Sequence, residues 1–297
     1  IGFCLVGSEM CIRDRWEVGD EVIVNMLHDG FSSFITVPAE AEYLMAKPKQ
    51  MSFSEAATLP LTFSTAYYGL QQLAKIKAGD RVLIHAAAGG VGQAAVQIAQ
   101  QAGAEVFATA SPPKWEFLKS LGIKHIMNSR TLDFANQIME ITEGKGVDVV
   151  LNSLNGDYIP KNLEVLAPEG RFVEIGKIGI WEPQQVQEKR PDVSYFPFDL
   201  GQVFHEQPEA MVQVSEGLTH KWNQGELVAL PHKVFSSTQI TEAFQYMQQA
   251  KNIGKVVIEM PQLSIDSKSI QAEGSYLVTG GLGAVSYTHL TLPTKVT

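Results

Sequence analysis

The chain has 297 residues, 45% of them hydrophobic and 19% charged, with a net charge of -9 at pH 7. This composition suits a soluble globular protein of about two domains, and the negative balance gives no basic field for nucleic acid. No apolar run reaches the roughly 18 residues of a membrane span, and two cysteines, Cys4 and Cys11, provide no disulfide framework.

The opening segment, residues 1–15 ("IGFCLVGSEMCIRDR"), resembles translated sequencing-adapter read-through, and so does the closing Val285–Thr297 ("VSYTHLTLPTKVT"). Both are expected to be non-native. A signal peptide is the rival reading of the start, but Glu9, Arg13, Asp14 and Arg15 follow a very short apolar run. The remaining Trp16–Ala284 holds no cysteine, and no two histidines stand at i,i+4, so no metal site is expected.

From Trp16 to Lys47 the stretches "DEVIVNM", "FSSFITV" and "EYLMAKP" alternate like strands, with turns at His28–Gly30 and Pro38–Ala39. A helix cap is expected at Ser52 or Ser54 with Glu55 in the first turn, and a further helix over Thr65–Lys75. After Gly79–Asp80 the rhythm changes. Strands "RVLIHAA", "EVFATA", "KHIMN", "VDVVLNS" and "RFVEIGK" alternate with helices at Val91–Ala102, "PKWEFLKSLG", "DFANQIMEITEG" and Tyr158–Leu166. Such alternation predicts βαβ units around a parallel sheet covered on both faces: an α/β chain of the Rossmann, doubly wound type. A helix at Glu209–Trp222, a strand "HKVFS", a helix at Thr241–Ala250 and a strand "KVVIEM" follow, and Pro261 with "SIDSKSIQAEGS" reads as a linker.

The stretch Ala87-Ala88-Gly89-Gly90-Val91-Gly92 fits the dinucleotide-binding G-x-G-x-x-G pattern with Ala first, between a strand and a helix. Gly89 would let the backbone approach a pyrophosphate, Gly92 would let the helix pack on the strand, and the helix N-terminus offers free N–H groups. A tight turn without ligand is the plain alternative. In an NAD site an acid ends the second strand; here Ser111 stands in that place, Lys114 follows, and Arg130 ends "NSR". A hydroxyl with two cations suits a 2′-phosphate, so the expected cofactor is NADPH. Either cation alone reads equally well as a solvated surface charge.

The segments "HAAAGGVGQAAVQIAQQAGAEVFATAS", "VDVVLNSL", "GRFVEIGK", "FDLG" and "AFQYMQQAKNIGKVVI" together resemble the enoyl reductase domain of modular polyketide synthases, in the zinc-free medium-chain dehydrogenase/reductase superfamily. The resemblance covers about Trp16–Pro261. It implies a partial β-rich (GroES-like) substrate domain over 16–75, with its N-terminal part missing. A Rossmann domain would follow over 76–205, with its end and a return to the substrate domain over 206–261. Residues 262–273 would be a linker and 274–284, "GSYLVTGGLGA", the start of a ketoreductase domain.

The resemblance further implies reduction of an α,β-unsaturated thioester held on the phosphopantetheine of an acyl carrier protein, beside dehydratase and ketoreductase domains, in the cytoplasm. Hydride addition places charge on the thioester oxygen, so a donor and an acid are needed. Lys177 and Asp199 match the family's lysine–aspartate pair, with Lys177 donating the proton or stabilising the enolate and Asp199 orienting it. A lone lysine at a strand end reads otherwise as an exposed charge. Thr65 is expected beside the nicotinamide, and Tyr67 and Tyr68 are expected to pack helices. Asn152 and Ser153 either touch the cofactor or cap a strand-to-helix turn; Gly254 and Lys255 either approach the cofactor or are a turn glycine and an exposed lysine. The rival functions are a free-standing quinone oxidoreductase and a non-catalytic nucleotide-binding scaffold.

Overall fold

The computed structural model describes residues 16–261 apart from residues 18, 26–29 and 38–42. The two end segments, the linker, the "TGGLGA" turn, the Pro38–Ala39 turn and His28 lie outside the described residues. The first described strands, β1 (Val22–Val24) and β2 (Leu44–Ala46), pair antiparallel and bury Ile23 opposite Met45.

The strand expected over Phe31–Val37 is not formed. Its alternation finds no partner strand among the described residues, and Phe31, Phe34 and Ile35 remain exposed. Strand preference is a preference for a pleated, half-buried surface, and here that surface is absent. Phe31 instead meets Phe244 edge-on at 6.1 Å.

Ser52 caps the short helix Phe53–Ala56 through a reciprocal capping box with Glu55. The next helix starts at Pro60, five residues ahead of the expected Thr65, because proline is preorganised for the first helical position. It runs to Tyr67 and continues as a π turn over Tyr68–Leu73. Its buried threonines need no outside partner: Thr62 Oγ1 donates to Thr58 O at 2.6 Å and Thr65 Oγ1 to Leu61 O at 2.7 Å. Phe63 meets Trp222 of the long helix Pro208–Asn223 edge-on at 5.7 Å. Tyr67 packs on Gly217, and the buried Tyr68 donates its hydroxyl to Gln207 Oε1.

The central sheet has six parallel strands: β3 (Arg81–Ile84), β4 (Glu105–Ala110), β5 (His125–Asn128), β6 (Val147–Asn152), β7 (Leu166–Glu174) and β8 (Ser194–Pro197). Their spatial order is β5-β4-β3-β6-β7-β8. The chain therefore leaves β3 in one direction and resumes at β6 in the other, which opens a crevice at the strand ends between them. Successive strand residues feed two cores. Val82, Ile84, Val106, Ala108, Val149 and Leu151 pack on the face of helix Gly90–Gln101. Leu83, Phe107, Val150 and Phe172 pack on the face of helices Phe134–Ile141 and Tyr158–Val165. Burial on both faces is why these strands read as apolar runs.

Three elements were not expected: β8, helix Pro183–Lys189 and helix Leu200–Glu206. The strand expected to end at Lys177 ends at Glu174, so Lys177 sits in the loop beyond it. Finally, β9 (His232–Ser236) and β10 (Lys255–Glu259) pair parallel around helix Ile240–Gln248, and a bridge between Gly89 and Gly254 joins them to the glycine turn.

Candidate active site

The glycine turn leaves β3 through Ala86, which takes a left-handed φ of 50°. Gly89 caps helix Gly90–Gln101 without a side chain, so the N–H groups of Gly90, Val91 and Gly92 lack intrahelical partners at the positive end of the helix. A β-carbon on Gly92 would overlap Ala86 O and lie 2.6 Å from Ala87 Cα. Only glycine lets the helix close on the strand there. A β-carbon on Gly89 would press on Ala86 O at 3.2 Å, a tight contact but short of the overlap at Gly92. Gly90 is bare for another reason: Lys255 Cδ and Thr62 Cγ2 each lie 2.8 Å from where its β-carbon would be.

Gly254 has φ +70 and donates its N–H to Ala88 O at 3.0 Å, bracing the turn from behind. The stem of Lys255 lies against Gly90, and burial lowers its ammonium pKa. Beyond β4, Ser111 is half-buried and precedes the 3-10 turn Pro112–Lys114. Lys114 Nζ donates to Asn252 O at 2.7 Å, and its pKa is lowered by burial and by the charge of Arg130. The two cations are therefore neighbours. Arg130 is exposed and its backbone N–H donates to Asn128 Oδ1.

At the other end of the crevice a cavity of about 920 Å³ is lined by Thr65, Val91, Lys177 and Asp199, with Leu61, Phe204 and His205. The expected Thr65, Val91, Lys177 and Asp199 are thus brought together. Lys177 Nζ stands 2.5 Å from Asp199 Oδ2, and the lysine side chain remains 72% exposed. Asp199 also caps helix Leu200–Glu206: its Oδ1 accepts the N–H of Gly201 at 2.7 Å and of Gln202 at 3.4 Å. Its carboxyl is held below the usual range, first by Lys177 and then by those backbone donors.

The side chain of Asn152 is bonded within the protein. Its Nδ2 donates to Leu154 O and Glu174 Oε2, and its Oδ1 accepts from Leu154 N–H and Asn162 Nδ2. All the bonding capacity of its side chain is taken up there, including the i to i+2 bond from Leu154 N–H that a turn cap makes. Ser153, next along, is exposed. The Asn152 bonds belong to a buried polar chain that the sequence reading missed, which also includes Thr109, His85, Asn162 and Glu174. The available signal was a polar residue inside an apolar strand run, as in "VLIHAA" and "RFVEIGK".

Residues 90–211 match the family model described as zinc-binding dehydrogenase. Phenolphthiocerol synthesis polyketide synthase type I Pks15/1 of Mycobacterium bovis is 40% identical over 276 residues, which cover 91% of this chain and 13% of that protein. The crystal structure of CurK enoyl reductase is 75% identical, with a TM-score of 0.80, covering 83% of this chain and 74% of that one. This chain belongs to the enoyl reductases of modular polyketide synthases. The same enoyl reductase fold is seen in the CurF ER cyclopropanase from the curacin A biosynthetic pathway, 52% identical with a TM-score of 0.80, covering 83% of this chain and 73% of that one. The enoyl reductase chain thus spans a small part of the length of its curated synthase relative.

The matched family's description names zinc. Among the described residues no three His, Cys, Asp or Glu side chains meet where they could hold an ion, so the described residues do not fit that metal. Among the described residues no helix is long and apolar enough to cross a membrane.

Proposed function

We propose that this chain is an NADPH-dependent enoyl reductase domain that reduces the α,β-double bond of a thioester carried by an acyl carrier protein, next to dehydratase and ketoreductase domains. The observation that carries the reading is the cavity in which the glycine turn, through Val91, meets the Lys177–Asp199 pair. The residues fit a nicotinamide dinucleotide. The N–H groups of Gly90, Val91 and Gly92 hold a pyrophosphate, with the Lys255 ammonium close to the same turn. Ser111, Lys114 and Arg130 hold a 2′-phosphate, since no carboxylate ends β4 to select a free ribose hydroxyl.

When bound, NADPH supplies hydride to the β-carbon of the enoyl group. Thr65 and Val91 shape the wall against which the reacting groups lie. Lys177 places its ammonium where negative charge develops on the thioester oxygen, and its N–H is the source of the proton for the α-carbon. Asp199, fixed by the helix it caps, keeps that ammonium in one place. Phe204 and Leu61 line the cavity with apolar surface, which strengthens the electrostatics inside it.

The test is turnover of a crotonyl thioester by the full chain, followed by NADPH oxidation, beside a panel of quinones. Reduction of the thioester with little quinone activity is expected. Quinone reduction alone, or equal affinity for NADPH and NADH by titration, overturns the assignment.

A further inference from the structure

The loop that carries Lys177 is fastened from below by a buried carboxylate. Glu174, the last residue of β7, has no exposed surface. Its Oε1 accepts the N–H of Gly176 at 2.6 Å, and its Oε2 accepts Asn152 Nδ2 at 2.6 Å. Asn152 Oδ1 accepts Asn162 Nδ2 at 3.1 Å, and Asn162 Oδ1 is 2.7 Å from His85 Nε2. His85 Nδ1 is 2.9 Å from Thr109 Oγ1.

Chemistry fixes the direction of every bond. Asn162 Oδ1 can only accept, so His85 carries its proton on Nε2, and Nδ1 must accept from the Thr109 hydroxyl. Burial pushes the His85 pKa down to about 4, which keeps the ring neutral and compatible with that arrangement. The donors therefore point one way, from Thr109 of β4 through His85 just past β3, Asn162 and Asn152, and end on Oε2 of Glu174, whose Oε1 takes the Gly176 N–H. An apolar residue of similar size would fill the same space without this chain, and a buried acid is costly unless its oxygens are bonded.

We infer that Glu174 is a positioning residue: its carboxylate clamps the Gly176 backbone and thereby fixes the Lys177 ammonium over the cavity, while the chain ending at His85 and Thr109 fixes Glu174. The inference rests on the role of Lys177 proposed above. Among the described residues no other hydrogen bond holds Gly176, and Lys177 is fastened at its far end only by Asp199.

Two substitutions release the clamp in different ways. Glu174→Gln keeps the volume but replaces one acceptor oxygen with a donor, so either Gly176 N–H or Asn152 Nδ2 faces another N–H. Gly176→Ala keeps both carboxylate oxygens of Glu174 and puts a β-carbon 2.7 Å from Oε1, forcing the carboxylate aside. Amide hydrogen exchange on the full chain without cofactor reads the clamp directly: the Gly176 amide is protected in the parent and loses that protection in both variants.

Single-turnover reduction of crotonyl thioester at saturating NADPH reads the consequence. Both variants are expected to slow it by about 10- to 100-fold, as a misplaced reacting group does, with NADPH affinity unchanged. In a Lys177→Met background Glu174→Gln is expected to cost nothing more, since the clamp acts only through the lysine. An unprotected Gly176 amide in the parent, or an equal cost with and without Lys177, overturns the inference. A Lys177→Met enzyme at the parent rate instead overturns the role of Lys177 itself, so the two failures are distinguishable. If Glu174→Gln does not fold, Gly176→Ala carries the same comparison alone.

Discussion

Gly92 and Gly89 stand three residues apart in one turn, yet the reading proposed above gives them different duties, and a pair of alanine substitutions separates these. A β-carbon on Gly92 runs into backbone atoms of Ala86 and Ala87, which have no rotamer to move to. Overpacking of that kind costs about 1–3 kcal/mol. Alanine's better helix propensity returns up to about 1 kcal/mol at this first-turn position. The net is a loss of about 1–2 kcal/mol, or roughly 2–8 °C in Tm for a domain of this size. At Gly89 the backbone is extended, with φ -81, and a β-carbon would press on one backbone oxygen at 3.2 Å, so Gly89→Ala should cost about 1 kcal/mol or less, below Gly92→Ala. Its cost falls on nucleotide binding, where the methyl group would stand between backbone and pyrophosphate. Thermal unfolding and NADPH titration of both variants are the assays. A Gly92→Ala protein as stable as the parent refutes the packing argument. A Gly89→Ala protein that binds NADPH normally refutes the placement of the pyrophosphate.

Three further outcomes are expected. Lys114→Ala combined with Arg130→Ala should weaken NADPH binding by about 10- to 100-fold, the loss of charged hydrogen bonds worth about 1.5–3 kcal/mol, and leave NADH binding unchanged; calorimetry with both nucleotides checks it. His85 should make the fold acid-sensitive. Its folded pKa is lowered from 6.5 to about 4, so its contribution is complete above pH 6.5 and is lost as pH falls from there toward 4, where the unfolded chain takes up a proton and the folded one does not. Urea unfolding across that window should show a stability slope steeper by up to about 1.4 kcal/mol per pH unit in the parent than in His85→Gln. Asp199→Ala should lower Tm by removing a helix cap worth about 0.5–2 kcal/mol and should slow turnover more than Asp199→Asn, which keeps an acceptor for Gly201 N–H.

The parts of this molecule that were legible in its sequence are those where one local rule acts alone. The alternation from "RVLIHAA" to "RFVEIGK" predicted the parallel sheet because strands buried on both faces must be apolar throughout. The bare turn at Gly89–Gly92 was visible because side chains are missing where backbone comes close. The failures have equally specific causes. Phe31–Val37 has a strand's alternation, but a strand needs a neighbour, which a local pattern does not reveal. In β8, "SYFP" is four residues ending at a proline and lies at the sheet edge, too short for a period to register. Asp199 was picked out as a partner for Lys177; its second duty as a helix cap depends on helix Leu200–Glu206, whose seven residues carry a weak pattern. Glu174, and the bond that ties Asn152 to it, escaped because their meaning is tertiary. A glutamate in an apolar run is ambiguous until Asn152 and Gly176 are seen to satisfy both of its oxygens.

The central claim is that the Lys177 ammonium, held by Asp199 at the mouth of the cavity, acts on the reacting thioester. Single-turnover reduction of crotonyl thioester by Lys177→Met at saturating NADPH tests it most directly, since the substitution removes the charge and keeps the stem. The account predicts a fall of about 100-fold or more with NADPH affinity retained. A rate within about threefold of the parent contradicts it.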